Sequence, residues 1–169
     1  MKYVIRLSIA AFALVIIGTT QSSVNAQGKA ESLTSNQSAN RIVGAWETTV
    51  TPVNCETREQ AGASFNGVIT FNEGGTVAEY GANPTVPFRT PGHGIWSNHL
   101  GSNAYSMKFS FLPLTPAGVP VGRMRVTQDL ELSRFSDEST SSGSFVLTNF
   151  AGVVLATGCS TAVAVRLQF

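Results

Sequence analysis

The chain contains only two cysteines, and they lie far apart: Cys55 follows the first β-type run and Cys159 lies within the last. A bond between them would make the first and last strands of the domain neighbours. A β-sheet whose first and last strands pair is closed into a barrel. These two cysteines therefore constrain the fold more than any other feature, provided that they meet in an oxidising compartment.

Residues 1–26 are predicted to be a secretory signal. A short basic segment precedes the apolar run Leu7 to Gly18, and Val24-Asn25-Ala26 provides a small-residue cleavage site. The apolar run is too short for a convincing transmembrane helix, which needs about 18 or more apolar residues. An uncleaved N-terminal anchor is the alternative. The sequence thus predicts cleavage after Ala26, a secreted or periplasmic protein, and no transmembrane segment after cleavage.

An exported chain with two cysteines most simply forms one disulfide, here between Cys55 and Cys159. The alternatives are a free reactive thiol or a pair of metal ligands. Neither cysteine has a Cys or His at ligand spacing, so no metal site is predicted.

The charged residues are nearly balanced and scattered. The chain has 11 basic and 10 acidic residues, and two of the basic ones, Lys2 and Arg6, lie in the predicted signal. This balance argues against a nucleic-acid partner. No glycine-rich phosphate loop joins a strand to a helix, and no cofactor is predicted.

Residues 27–40 are small and polar and are predicted to be a flexible leader, followed by one domain over residues 41–169. That domain shows eight short β-type runs separated by turn signals and no helical period. The seventh run is predicted at Ser144 to Phe150, with the polar segment Ser133 to Ser142 as a connection. The pattern favours an all-β, eight-stranded, up-and-down antiparallel barrel with adjacent first and last strands. A β-sandwich is the alternative.

Two short segments resemble the calycin superfamily, which contains the lipocalins and related barrels. Gly44-Ala45-Trp46 opens the first strand, and Arg166 lies near the end of the last. In calycins a Trp at the base of the barrel packs against an Arg of the last strand and closes one end. The resemblance therefore implies a structural role for Trp46 and Arg166, in which the guanidinium stacks on the indole. There is no second lipocalin signature and no C-terminal helix, so the resemblance applies to the superfamily.

Longer strings resemble a group of secreted bacterial proteins whose activity is not established. They are G-A-W-E at 44–47, V-T-P-V-N-C at 50–55, P-G-H-G-I-W at 91–96 and A-T-G-C at 156–159. They span nearly the whole domain that follows the signal. This resemblance implies export and a shared barrel, and it carries no activity with it.

Alternation predicts which side chains face the barrel interior. Tyr105, Met107 and Phe109 share one face of the fifth strand, and Phe71 comes from the second. These side chains suit the wall of a lipophilic pocket and a filled core equally well. Gln128 is a polar residue on the apolar face of the sixth strand, where it could orient a ligand hydroxyl or carbonyl, or bond a neighbouring group.

Trp96 in the fourth run could cap the barrel, stack on a ligand or lie on the outer face. His93 follows the proline-rich loop Gly81 to Pro91, where it could contact a ligand, act as an acid or base, or hold the loop backbone. Glu79 and Tyr80 point to opposite faces, and the pattern favours Tyr80 inward and Glu79 outward. An inward glutamate would be a functional candidate, because burying it unpaired is costly.

Three functions follow, in order of preference. The first is an exported barrel that binds a small apolar or amphipathic molecule in its interior. The second is a barrel enzyme of cyclase or isomerase type, with His93, Glu79 or Tyr105 as catalytic group. The third is an exported protein-binding module, such as a protease inhibitor, whose contacts would come from residues 27–40 or the proline-rich loop.

Residue parity predicts how the two long-range pairs are placed. Trp46 and Arg166 have even numbers, whereas Cys55 and Cys159 have odd ones. If the strands are regular, the Trp–Arg pair faces the interior and the disulfide lies outside the barrel wall.

Overall fold

The computed structural model describes residues 41–168, so the predicted signal and leader lie outside the described residues. Every regular element in that range is a β-strand. The strands are β1 (Gly44–Val53), β2 (Phe65–Phe71), β3 (Thr76–Gly81), β4 (Gly92–Asn98), β5 (Ala104–Phe111), β6 (Arg123–Leu132), β7 (Glu138–Thr148) and β8 (Val154–Arg166).

The strands form one closed barrel in chain order, and each strand pairs antiparallel with the next. The pairing of β1 with β8 closes the sheet, with Trp46 opposite Arg166 and Val53 opposite Cys159. The predicted eight-stranded up-and-down barrel with adjacent first and last strands is confirmed. The β-sandwich alternative is wrong.

Strict alternation sorts the side chains between the interior and the outer surface. On β6 the interior face carries Met124, Leu130 and Leu132, which are all buried, while Arg123 and Arg125 are exposed on the other face. This pattern is required of an antiparallel sheet that packs one face against the core and exposes the other to solvent. The predicted two faces of β6 are therefore confirmed.

Strand β7 begins six residues earlier than its predicted start, at Glu138 rather than Ser144. Its first half is rich in Ser and Thr and has little local preference for a strand. Both neighbours nevertheless pair with it: Ser139 lies opposite Leu132 on β6 and Ala164 on β8. Pairing on both sides outweighs local propensity. The consequence is that Ser139 and Ser141 face the barrel interior.

Arg166 and Trp46 close one end of the barrel. The guanidinium lies 4.2 Å from the centre of the Trp46 ring system, and Trp46 is fully buried. Arg166 Nη1 donates to the carbonyl of Val43 at 2.7 Å, and Nε donates to the carbonyl of Ser136 at 2.6 Å. Gly44 makes room for this contact, because its φ is +136° and a Cβ there would lie 2.6 Å from Nη1. The predicted packing of Trp46 against Arg166 is confirmed.

Cys55 and Cys159 form the predicted disulfide, with Cα atoms 5.2 Å apart and a separation of 104 positions in the sequence. Cys159 has the same parity along β8 as the exposed Val163 and Val165. Cys55 is exposed, which agrees with the outer position that parity predicted for the bond, while Cys159 also borders the interior cavity. The bond ties the β1–β2 connection to β8 near the opposite end of the barrel from Trp46.

Loss of the disulfide should lower stability markedly. In the chain-entropy account, a bond that closes a loop of about 100 residues contributes roughly 4–5 kcal/mol. We expect the Cys55→Ser/Cys159→Ser variant to have a free energy of unfolding lower by that amount. It should therefore unfold at a lower urea concentration. Reduced wild-type protein is the control and should match the variant. Equal unfolding of oxidised wild type and variant would contradict this prediction.

Replacement of Arg166 by Lys should also destabilise the barrel, because an ammonium cannot make the same fork of hydrogen bonds or the same stacking. We expect Arg166→Lys to lower the free energy of unfolding by about 2–3 kcal/mol, the loss of charge-assisted hydrogen bonds. Arg125→Lys on the exposed face of β6 is the matched control and should change it by less than about 0.5 kcal/mol. Urea unfolding monitored by Trp fluorescence compares the two.

Candidate ligand-binding cavity

The interior contains a cavity of about 330 Å³. The end of the barrel that holds Trp46 and Ile42 is filled, since both side chains are fully buried. The cavity lies beyond them, towards the end where the β1–β2, β3–β4, β5–β6 and β7–β8 connections lie. The β3–β4 connection contributes Asn83, Thr85, Val86 and Arg89 to its wall. The interior is therefore a pocket above a packed base.

Four of the predicted ligand contacts lie at this cavity. Phe71, Met107, Phe109 and Gln128 all line it. Most of the other lining side chains from β2, β5 and β6 are apolar, among them Phe65, Ile69, Phe111, Met124, Val126 and Leu130. Alternation on these strands was sufficient to place them.

Tyr105 and Trp96 lie in the packed base and, unlike the other predicted interior contacts, do not line the cavity. Tyr105 is 1% exposed, and its ring centre is 6.0 Å from that of Trp96. Trp96 packs edge-on against Phe71, and its Nε1 donates to the carbonyl of Asn72 at 3.0 Å. The cause is their position at the closed end of β4 and β5. Burial raises the pKa of Tyr105, which keeps the phenol protonated at neutral pH.

His93 does not reach the interior. It is exposed on the outer face of β4, because Gly92 and Gly94 take the adjacent inward positions. His93 is therefore not among the residues that line the interior cavity. On the outer face it lies opposite Ser110 of β5 and Ala78 of β3.

Glu79 points into the cavity, and the expectation that it lies outside with Tyr80 inside is wrong. Tyr80 is 46% exposed, whereas Glu79 shares its face with the buried Val77. Two glycines make room for the carboxylate: a Cβ would lie 3.0 Å from Oε1 at Gly81 and 2.7 Å from Oε2 at Gly92. The alternation of Val77, Glu79 and Gly81 was the sequence signal for this orientation.

Arg89 is the partner of Glu79, and no sequence pattern predicted this contact. Its Nη1 lies 3.3 Å from Glu79 Oε1, and its Nη2 bonds Oε2. The side chains of Arg89 and Glu79 are 4% and 13% exposed. The guanidinium also lies 3.5 Å from the ring centre of Phe111. The available signal was that Arg89 is the one charged residue of the segment Gly81 to Pro91.

Burial raises the pKa of Glu79, although the hydrogen bonds and charge of Arg89 oppose the shift. The pair fastens the proline-rich loop across the cavity mouth. Val86 of the same loop packs against the core, and the Leu114 N–H donates to the carbonyl of Phe88 at 2.8 Å. The loop is therefore held by an ion pair, an apolar contact and backbone hydrogen bonds.

A second wall of the cavity carries small and hydroxyl side chains. Ser139 and Ser141 come from β7, Ser160 from β8 and Thr48 from β1, and all line the cavity. Gln128 Nε2 donates to Ser160 Oγ at 2.9 Å. Gln128 is 5% exposed, and no residue between 41 and 168 donates a hydrogen bond to its Oε1. The polar groups of the interior thus cluster on one side.

A further depression, of about 560 Å³, lies on the outer wall across β8, β1, β2 and β3. It is lined in part by Glu47, Thr49 and Asn66, next to Val68 and Tyr80. It is more open to solvent than the interior cavity, and its lining is more polar. The interior cavity is the better ligand site, because enclosed and mostly apolar concavities bury most of a ligand's surface.

Over residues 41–168, no group of three or more His, Cys, Asp or Glu side chains is arranged to hold a metal ion. The same part of the chain contains no helix long and apolar enough to cross a membrane. Comparison with protein-family models, curated proteins and solved structures gave no match.

The Glu79–Arg89 pair should behave as a coupled unit. Arg89→Met would leave a carboxylate buried without its partner, and we expect this variant to lose about 3–5 kcal/mol of unfolding free energy. In Glu79→Leu/Arg89→Met both charges are removed, and most of that loss should be recovered.

Urea unfolding of the four members of the cycle tests this prediction, with the exposed Arg125→Met as control for the loss of an arginine. The rate of amide hydrogen exchange at residues 82–90 should be higher in Arg89→Met than in the wild-type protein. If the effects of the two substitutions simply add, the pair is not coupled.

Proposed function

We propose that this barrel binds a small apolar or amphipathic molecule in its interior and acts as an exported carrier. The observation that supports it most is the cavity of about 330 Å³ between a packed base and a fastened loop. Natural small-molecule sites are concave, mostly apolar and largely preformed, with volumes of roughly 300–1,000 Å³. The cavity has all of these properties.

Two further observations support the proposal. The base, in which Arg166 stacks on Trp46, has the arrangement that the calycin resemblance implies, and calycin barrels include interior binders of small molecules. The disulfide is consistent with an oxidising compartment and hence with export. A rigid, cross-linked barrel also binds with little loss of conformational entropy.

The enzyme alternative has less support. The three catalytic candidates are not together: His93 lies on the outer face, Tyr105 in the base, and Glu79 in the cavity. Arg89 engages both carboxylate oxygens of Glu79. This arrangement favours a role for Glu79 in holding the loop over one in proton transfer.

The protein-binding alternative depends partly on the proline-rich loop. Four of its residues line the cavity: Asn83, Thr85, Val86 and Arg89. They serve the interior and leave the loop fewer side chains for a partner, so interior binding is preferred.

Filling the cavity should abolish ligand binding. Ala162 faces the cavity and the adjacent Val163 is 54% exposed on the outer surface. We expect Ala162→Phe to weaken the binding of pyrene at least tenfold, because the new ring occupies the ligand's volume, and Val163→Phe to leave it unchanged. Pyrene fluorescence measures binding, and native mass spectrometry of wild-type protein should show a co-purified small molecule.

The result that contradicts the proposal is a folded wild-type protein that neither binds pyrene nor retains a small molecule. Equal weakening by both phenylalanine substitutions would also contradict it, because the outer substitution does not touch the cavity. Circular dichroism confirms that each variant is folded.

A further inference from the structure

We infer that the ligand is uncharged and carries hydroxyl groups along one side of an otherwise apolar, flat body. This inference rests on the proposed function and specifies the class of ligand. It follows from three properties of the cavity: the distribution of hydroxyls on its wall, the aromatic surface across from them, and the state of its charges.

The polar wall is a continuous patch on neighbouring strands. Ser139 and Thr48 both lie opposite Ala164, and Ser160 lies opposite Gly143, which in turn lies opposite Gln128. Adjacent strands are separated by about 4.8 Å, and successive inward residues on a strand by about 6.8 Å. The patch therefore extends about 14 Å across three strand spacings, from Thr48 to Gln128, and about 14 Å along two inward steps, from the level of Ser139 to that of Ser160. That extent suits the long edge of a fused-ring molecule better than a single terminal polar group.

Side chains in this patch have unused hydrogen-bonding capacity. Gln128 is more than nine-tenths buried, and among the described residues its Oε1 has no donor. The hydroxyls of Ser139 and Ser141 make no side-chain hydrogen bond within residues 41–168. A buried carbonyl oxygen without a donor is unfavourable, so a ligand hydroxyl that donates to it adds affinity. The serine hydroxyls can accept or donate to further hydroxyls on the same edge.

The surface across the barrel is apolar and aromatic apart from the paired Glu79 and Arg89. In a closed barrel of eight strands, β8 faces β4 and β7 faces β3. Gly92 of β4 carries no side chain, and the Glu79 carboxylate and the Phe109 ring both lie over it. A Cβ there would be 2.7 Å from Glu79 Oε2 and 3.0 Å from Phe109 Cδ2. A ligand between the two walls therefore meets hydroxyls on one side and aromatic rings on the other.

The charges of the cavity argue against an acid. Among the described lining residues, Glu79 and Arg89 are the charged ones, and they are bound to each other. A carboxylate ligand would have to displace Glu79 from Arg89 and would leave a second negative charge beside it. Like charges this close oppose each other strongly in a low-dielectric interior.

The test compares pyrene, 1-pyrenemethanol and 1-pyrenecarboxylate, which share one flat body and differ in a single group. Fluorescence titration of the full folded domain at pH 7 gives each dissociation constant. We expect 1-pyrenemethanol to bind about tenfold more tightly than pyrene, the gain of one well-placed hydrogen bond. We expect 1-pyrenecarboxylate to bind more weakly than either.

Substitutions in the polar wall show which side chains cause the preference for 1-pyrenemethanol over pyrene. Ser139→Ala/Ser141→Ala should bring the affinity for 1-pyrenemethanol to that for pyrene while leaving pyrene binding unchanged. Gln128→Met, which keeps a similar volume, should reduce the preference by removing the acceptor. Ser144→Ala is the matched control, because Ser144 lies on the exposed face of the same strand.

The outcomes separate the two proposals. If the wild-type protein binds pyrene but does not bind 1-pyrenemethanol more tightly, the ligand class is overturned and interior binding stands. The same holds if the variants do not change the affinities in the expected order. Preference for 1-pyrenecarboxylate overturns it in the same way. Failure of the folded wild-type protein to bind any of the three probes overturns the proposed function itself.

Discussion

The stacking of Arg166 on Trp46 is the contact on which the rest of the barrel depends. A guanidinium has several donors in one plane, and here they bond carbonyls of the N-terminal segment and of the β6–β7 connection while its face covers an indole. One side chain of β8 thus joins β1, the segment that precedes β1 and the β6–β7 connection at the closed end. Closure there sets the register between β1 and β8. The register decides which residues of these strands face the interior and which face outward.

The cavity is a consequence of where the large side chains are. The base is filled by residues such as Trp46, Tyr105 and Ile42. Above it, the inward positions of β7 and β8 hold mostly Ser, Ala and Gly, which fill little space. Protein interiors are normally packed as densely as organic crystals, and voids larger than a water molecule are few. A space of about 330 Å³ is therefore more than a packing defect and calls for an occupant.

Strand alternation and the cysteine positions were enough to predict the closed barrel and much of the cavity lining, including Gln128, and the calycin resemblance implied the Trp46–Arg166 contact. The prediction failed where the alternation of a short strand was assigned to the wrong face or where tertiary pairing decided the outcome. Glu79 was expected outside because the pattern of β3 was taken to put Tyr80 inside, although Glu79 alternates with Val77. The start of β7 was missed because Ser139 lies in a polar run that only its neighbours on β6 and β8 turn into a strand. Arg89 lies in a loop with no period, so its contact with Glu79 could not be read from spacing.

Under the proposed function, the buried ion pair matters more for ligand selectivity than for stability. Removing two charges from water is costly, and their attraction in the interior roughly offsets that cost, so such pairs contribute little net stability. What the pair contributes is position: Glu79 is fixed on β3, and it holds Arg89 and the loop over the mouth. Because each charge already has its partner, the pocket offers no counter-charge to an incoming ion. The contact that closes the mouth therefore also favours uncharged molecules within it.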